Sequence, residues 1–240
     1  FLFRDMSKSE WFLKWKFNIS ILYCGLLLLL LQLWFKINLV YNKLNASFSK
    51  IALETIPDYR KEILEVLINY IKEKIISGEK PLLNFICTHN SRRSQLSQIW
   101  AKTAADYFKI SVGCFSGGIE ITAFNKSAIA SLKRYGFKVN SIEEINPKFQ
   151  VYYAQDSKPI IAFSKLFNDA SNPSDSFATV MTCNHADENC PFIPNSEIRI
   201  SLPYDDPKAY DKTAVEAKKY DEITHQIASE MIYVFKKVKG

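Results

Sequence analysis

Apolar residues recur along this 240-residue chain at two spacings. In residues 58–77, Tyr59, Ile63, Val66, Leu67, Tyr70 and Ile71 fall three or four apart, which marks one face of a helix. Asp58 is its candidate N-cap and Gly78 its stop. "PLLNFIC" (81–87) is a short apolar run opening on proline, which is tolerated at the start of a strand. A second helix is predicted from Ser94 to about Phe108, with Leu96, Ile99, Trp100, Thr103 and Tyr107 on one face. "SVGCFSGG" then reads as a strand ending in a glycine turn, and "AFNKSAIASLKRYG" as an amphipathic helix stopped by Gly136. The order β-α-β-α argues for a parallel sheet with helices on its faces, an α/β fold.

Beyond residue 140 the pattern loosens. "FQVYYAQ" and "PIIAFSKLF" read as the strands of a hairpin, and "DASNPSDS" as loop by composition. "FATVMTC" is a buried strand that ends, like the first, in a cysteine. Residues 184–211, carrying Pro191, Pro194, Pro203 and Pro207, read mostly as loop. A last helix from about Thr213 presents Tyr220, Ile223, Ile227, Met231, Val234 and Val238 on one face. The expected organisation is a hydrophobic segment over 1–40, a polar connector (41–57) and a helix within 41–80, and a catalytic domain over 81–240. Residues 17–35, "FNISILYCGLLLLLLQLWF", are long enough for a bilayer core, which takes ~20 helical residues. Lysines on both sides leave its orientation open. A signal peptide fits less well, because no small-residue cleavage site follows the leucines. Two readings stand side by side: a membrane anchor, or translated sequence ahead of a misassigned start.

Composition narrows the function. The formal charge of +6 is spread along the chain, without a basic stripe interleaved with aromatics, which argues against a nucleic-acid partner. Five cysteines, Cys24, Cys87, Cys114, Cys183 and Cys190, form no regular framework. That argues against a secreted disulfide scaffold and for a reducing, cytoplasmic catalytic domain whose thiols do chemistry.

"FICTHNSRRSQ" (85–95) is where that chemistry is expected. Cys87 sits at a strand end in a parallel sheet, the edge at which ligands bind. The residues after it enter a helix N-terminus, whose free N–H groups attract a tetrahedral anion. Arg93 adds a bidentate grip on two anion oxygens. The same field favours an ionised, attacking sulfur. Ser94 can donate to it, and Asn90 can brace the loop. The G-K-[ST] ending of a nucleotide-binding loop is missing.

"CTHNSRRSQ" resembles the anion loop of the low-molecular-weight tyrosine phosphatase superfamily, and within it the thioredoxin-coupled arsenate reductases. The likeness runs on through "FSGGIE", "CNHADENCP" and "YDDP" and covers about 82–240. It implies a doubly wound, four-stranded parallel sheet flanked by helices. It also implies Cys87 as nucleophile, Arg93 as oxyanion-binding arginine and Ser94 as the serine that steadies the thiolate. Thr88, His89, Asn90, Ser91, Arg92 and Arg93 line the anion. Asp206, before Pro207, matches the general acid, with Asp205 the weaker candidate; a leaving oxygen needs such a proton donor. The sequence departs from the family at His89, where glycine is usual, and at Gln98, where potassium-binding reductases carry glutamate. A longer middle, 140–176, is expected to act as lid or docking surface.

Cys183 and Cys190 leave three readings: structural thiols, a metal site with His185, or a redox pair. Zinc usually takes tighter C-x₂₋₄-C pairs. In the reductases this sequence resembles, the pair completes a thiol relay with the nucleophile, and thioredoxin reduces it by exchange. The resemblance therefore implies arsenate reduction without a cofactor or metal. Phosphotyrosine or phosphate-monoester hydrolysis is the alternative, and a non-catalytic phosphoprotein-binding module a third.

Overall fold

A computed structural model describes residues 43–51, 56–141, 146–155, 157–189 and 192–240. The run 17–35 with Cys24, and Cys190, lie outside the described residues. In chain order the elements are α1 (43–51), α2 (Asp58–Ile76), β1 (Leu82–Cys87), α3 (Arg93–Tyr107), β2 (Gly113–Gly118), α4 (Lys126–Tyr135) and β3 (Lys138–Ser141). They continue as β4 (Phe149–Tyr152), β5 (Ile160–Ala162), β6 (Phe177–Met181), α5 (Asn184–Asn189), β7 (Ser196–Ser201), a 3₁₀ turn (Pro207–Tyr210) and α6 (Glu216–Lys239). No helix among them is long and apolar enough to cross a membrane.

Four parallel strands form the main sheet in the order β2-β1-β6-β7. β1 and β6 are central and covered on both faces, which is why each reads as an unbroken apolar run. β7 is an edge strand. Ile198 and Ile200 alternate with the exposed Glu197 and Arg199, so its pattern is short and half polar. That is why residues 184–211 read as loop although they hold both β7 and α5. A second sheet, β3-β4-β5, is antiparallel. It contains the expected hairpin and adds β3 to it.

The predicted connector is partly helical. In α1, Leu44, Phe48 and Ile51 sit four and three residues apart and are all buried, and Phe48 stacks on Tyr107 at 4.1 Å between ring centroids. Pro57, not Asp58, holds the N-cap position of α2, with Asp58 in the first turn. Gly136 closes α4 with φ +111°, a left-handed conformation that costs glycine little. Asn125 caps the other end, accepting from the amides of Ser127 and Ala128.

α6 crosses α2, α3 and α4 and closes the core over the sheet. α2 is a wall of that same core: Leu64, Leu67, Ile68 and Ile71 are fully buried. It is also pinned by charge. Arg60 donates to both carboxylate oxygens of Glu230 at 2.7 Å and to the carbonyl of Pro203 at 3.0 Å. Tyr204 donates its hydroxyl to Glu230 at 2.8 Å. Burial, and then the Glu230 carboxylate, push the Tyr204 phenol well above the ordinary tyrosine range, so it stays a donor.

Candidate active site

Because the main strands are parallel, their carboxyl ends share one edge. Cys87 closes β1, in register with Gly118 of β2. Cys183 follows β6, and Asp206 lies beyond β7. Thr182 ties the β6 end to β1, donating its amide and hydroxyl to the carbonyl of Ile86 at 2.7 and 2.8 Å.

The loop after Cys87 is held from several sides. The sulfur lies 3.0 Å from Ser94 Oγ, and Asn90 Nδ2 donates to that same oxygen at 2.8 Å. Asn90 has φ +45°, a left-handed conformation that asparagine tolerates better than most residues. Its Oδ1 accepts from Gln95 Nε2 and from the amide of Lys165, both at 3.0 Å. Gln95 also donates to the carbonyl of Phe163 at 2.7 Å, and Ser164 Oγ donates to the carbonyl of His89 at 2.9 Å. Ser91 Oγ donates to Ala123 O at 2.6 Å. Thr88 O accepts from the amides of Ile119 and Glu120. Gly118 makes this approach possible: a Cβ there would lie 2.8 Å from the amide nitrogen of Asn90 and 2.9 Å from the carbonyl of Thr88. The "SGG" motif is thus a clearance requirement.

Arg93 opens α3. Its guanidinium donates to the carbonyl of Tyr204 at 3.1 Å and to Asp206 Oδ2 at 2.7 Å, and its buried Nε has no protein acceptor. Asp206 Oδ1 accepts from the amide of Lys208 at 3.0 Å, so it also caps the 3₁₀ turn. Arginine, acid and thiol loop therefore meet. Arg92 turns away from the loop: Nε donates to Tyr220 at 2.8 Å and Nη2 to Asp211 at 3.2 Å. Tyr220 in turn donates to Asp211. Burial, then Asp211, push that phenol up to about 12. His89 pairs with Glu120 at 3.2 Å. Gln98 accepts from Ser116 Oγ at 2.6 Å and donates to Cys114 O at 3.2 Å, so both ends of its amide are engaged within the protein.

Cys183 packs in one small apolar cluster with Cys87, Ile86, Met181 and Ala186. Its sulfur lies 3.5 Å from Thr88 Oγ1 and accepts from the amide of Ala186 at 3.4 Å. His185 Nδ1 is 3.3 Å from the same Thr88 hydroxyl. Among the described residues no cluster of three histidine, cysteine or acidic side chains is placed to hold a metal. The residues that sequence reasoning missed are Phe163, Ser164 and Lys165. They brace the loop largely through backbone atoms, which leave no mark on residue pattern.

A cysteine ending a central parallel strand, with an arginine opening the next helix, defines a thiol site built for a tetrahedral oxyanion. No family model matches the chain. The arsenate reductase of Staphylococcus aureus (strain Newman) is 30% identical over 131 residues, which is 53% of this chain and 79% of that protein. The arsenate reductase of Brevibacillus brevis is 29% identical over 128 residues, 53% of this chain and 78% of that protein. A solved low-molecular-weight phosphotyrosine phosphatase from Vibrio cholerae has 13% identity and a TM-score of 0.44, covering 63% of this chain and 92% of its own. The chain belongs to the arsenate reductase family.

Proposed function

We propose that this protein reduces arsenate to arsenite by a Cys87–Cys183–Cys190 thiol relay. The Cys87 thiolate attacks arsenate, displacing one oxygen as water with a proton from Asp206, and leaves a sulfur–arsenic(V) bond. The Cys183 thiolate then attacks the Cys87 sulfur. The sulfur–arsenic electron pair passes to arsenic, arsenite departs, and a Cys87–Cys183 disulfide remains. Cys190 attacks Cys183, restores the Cys87 thiolate and leaves a Cys183–Cys190 disulfide for an external dithiol of the thioredoxin type to reduce. A reducing compartment such as the cytoplasm suits this chemistry.

One observation carries the reading. The second thiol is buried against the nucleophile's own loop, in hydrogen-bond reach of Thr88, the residue next to Cys87. Hydrolysis needs one thiol; reduction needs thiols in pairs. Phosphate-monoester hydrolysis through Cys87, Arg93 and Asp206 is the second reading, favoured by the acid already seated on the arginine. Side-by-side assays separate them: thioredoxin-coupled arsenate reduction and p-nitrophenyl phosphate hydrolysis, in wild type, Cys87→Ser and Cys183→Ser. Cys87→Ser is expected to abolish both. Cys183→Ser is expected to lose reduction and keep hydrolysis. Brisk hydrolysis with no reduction in wild type would reject the relay.

A further inference from the structure

A second cavity, of about 1020 Å³, lies between α3, β2 and the β4–β5 hairpin. Its charge is lopsided. Lys102 is neutralised by Asp106 at 2.5 Å, and Asp106 is also engaged by Tyr153. Lys80, Lys148, Lys158 and Lys165 line the same cavity, and none has a carboxylate within ion-pair distance among the described residues. Among the described residues Asp169 is the one other acid on the wall, and its carboxylate is held by Ser171. Lys165 is the telling member. It is 3% exposed, and burial lowers its ammonium to about 8 with only the more distant Asp169 opposing. A buried, unpaired lysine is costly unless something anionic offsets it. Phe163 carries both the Lys165 and the Lys148 ammonium, 4.7 and 5.1 Å from its ring centroid. Phe115, Val112 and Ile160 supply an apolar wall beside these cations.

We propose that this cavity is a second, non-catalytic anion site, for an organic polyphosphate whose phosphates meet Lys165 and Lys148 and whose ring or apolar body meets Phe163 and Phe115. Lysines serve phosphate as mobile point charges, and a concave apolar wall with a few polar groups is the usual build of a small-molecule site. The site reaches the catalytic loop through backbone. The amide of Lys165 donates to Asn90, and the carbonyl of Phe163 accepts from Gln95, so two of the residues that would touch the ligand also hold the Cys87 loop.

The test is calorimetry with ATP and with inorganic tripolyphosphate, with vanadate saturating the Cys87 loop. One ATP is expected to bind per chain in the presence of vanadate, at least several-fold more tightly than tripolyphosphate. Lys165→Met, which keeps volume and removes charge, is expected to weaken it at least tenfold. Lys148→Ala, on the exposed rim, guards against a folding defect and is expected to weaken it about threefold, a typical effect of one partly screened charge. Displacement of ATP by vanadate would assign the binding to the Cys87 loop and overturn the proposal. So would unchanged affinity in both variants, or tripolyphosphate binding as tightly as ATP.

Discussion

The ends of β1 and β6 each carry a buried cysteine, but they are built differently. The Cys87 loop is fastened by side chains and amides from α3, the segment after β2 and residues 163–165, and Asn90 alone bonds Ser94 and Gln95 of α3 and the amide of Lys165. Among the described residues the Cys183 end has the Thr182 bonds to β1, a six-residue helix, two weak contacts to sulfur and an Arg199–Asp187 pair at 2.8 Å on the outside. A nucleophile must be preorganised for its target, since misplacement by about 1 Å can cost ~10²-fold in rate. A relay thiol must travel to a sulfur and then retreat. The contrast in fastening matches the tasks proposed for the two thiols.

Three substitutions or modifications would break or sharpen the comparison. The largest effect is expected from Asn90→Ala, which removes the bonds to Ser94, Gln95 and the Lys165 amide together, leaves that amide without its acceptor and places alanine at φ +45°. A loss of roughly 2–4 kcal/mol in urea unfolding is expected, because buried partners left unsatisfied cost more than the bonds themselves. A loss under 1 kcal/mol would mean that the loop does not depend on this residue. Thr88→Val removes the hydroxyl facing Cys183 while keeping shape. Arsenate reduction is expected to fall about fivefold, the worth of one ordinary hydrogen bond, with p-nitrophenyl phosphate hydrolysis nearly unchanged. An equal fall in both would show that Thr88 serves the loop as a whole. The smallest effect is expected at Cys114, the third cysteine among the described residues. Burial pushes its thiol up to about 12, so deprotonation is confined to strongly alkaline solution. Iodoacetamide at pH 8 followed by mass mapping should leave it unmodified while Cys87 reacts and arsenate protects Cys87.

Much of this arrangement was legible in the residues. Two apolar runs ending in Cys87 and Cys183 place both thiols at strand ends, and the Arg93–Ser94 pair announces the helix that follows. What escaped had weaker signals. The asparagine and serines of α1 mask the spacing of Leu44, Phe48 and Ile51. β7 buries one face only and is flanked by prolines. The turning of Arg92 toward Tyr220 and Asp211 depends on where α6 crosses α3, which no local window contains. The bracing by residues 163–165 runs across more than sixty residues of chain and partly through peptide groups.

The Arg60–Glu230 pair has a practical corollary for anyone cutting the gene. A fragment trimmed to start at β1 would delete the whole α2 wall, stripping the cover from the core that Leu64, Leu67, Ile68 and Ile71 close and taking from Glu230 its only guanidinium partner among the described residues. Because Arg60 also grips the carbonyl of Pro203, and Arg93 grips that of Tyr204, the damage would spread to the segment that carries Asp206. The minimal folding unit therefore begins upstream of the part that looks catalytic, at α2 or before it.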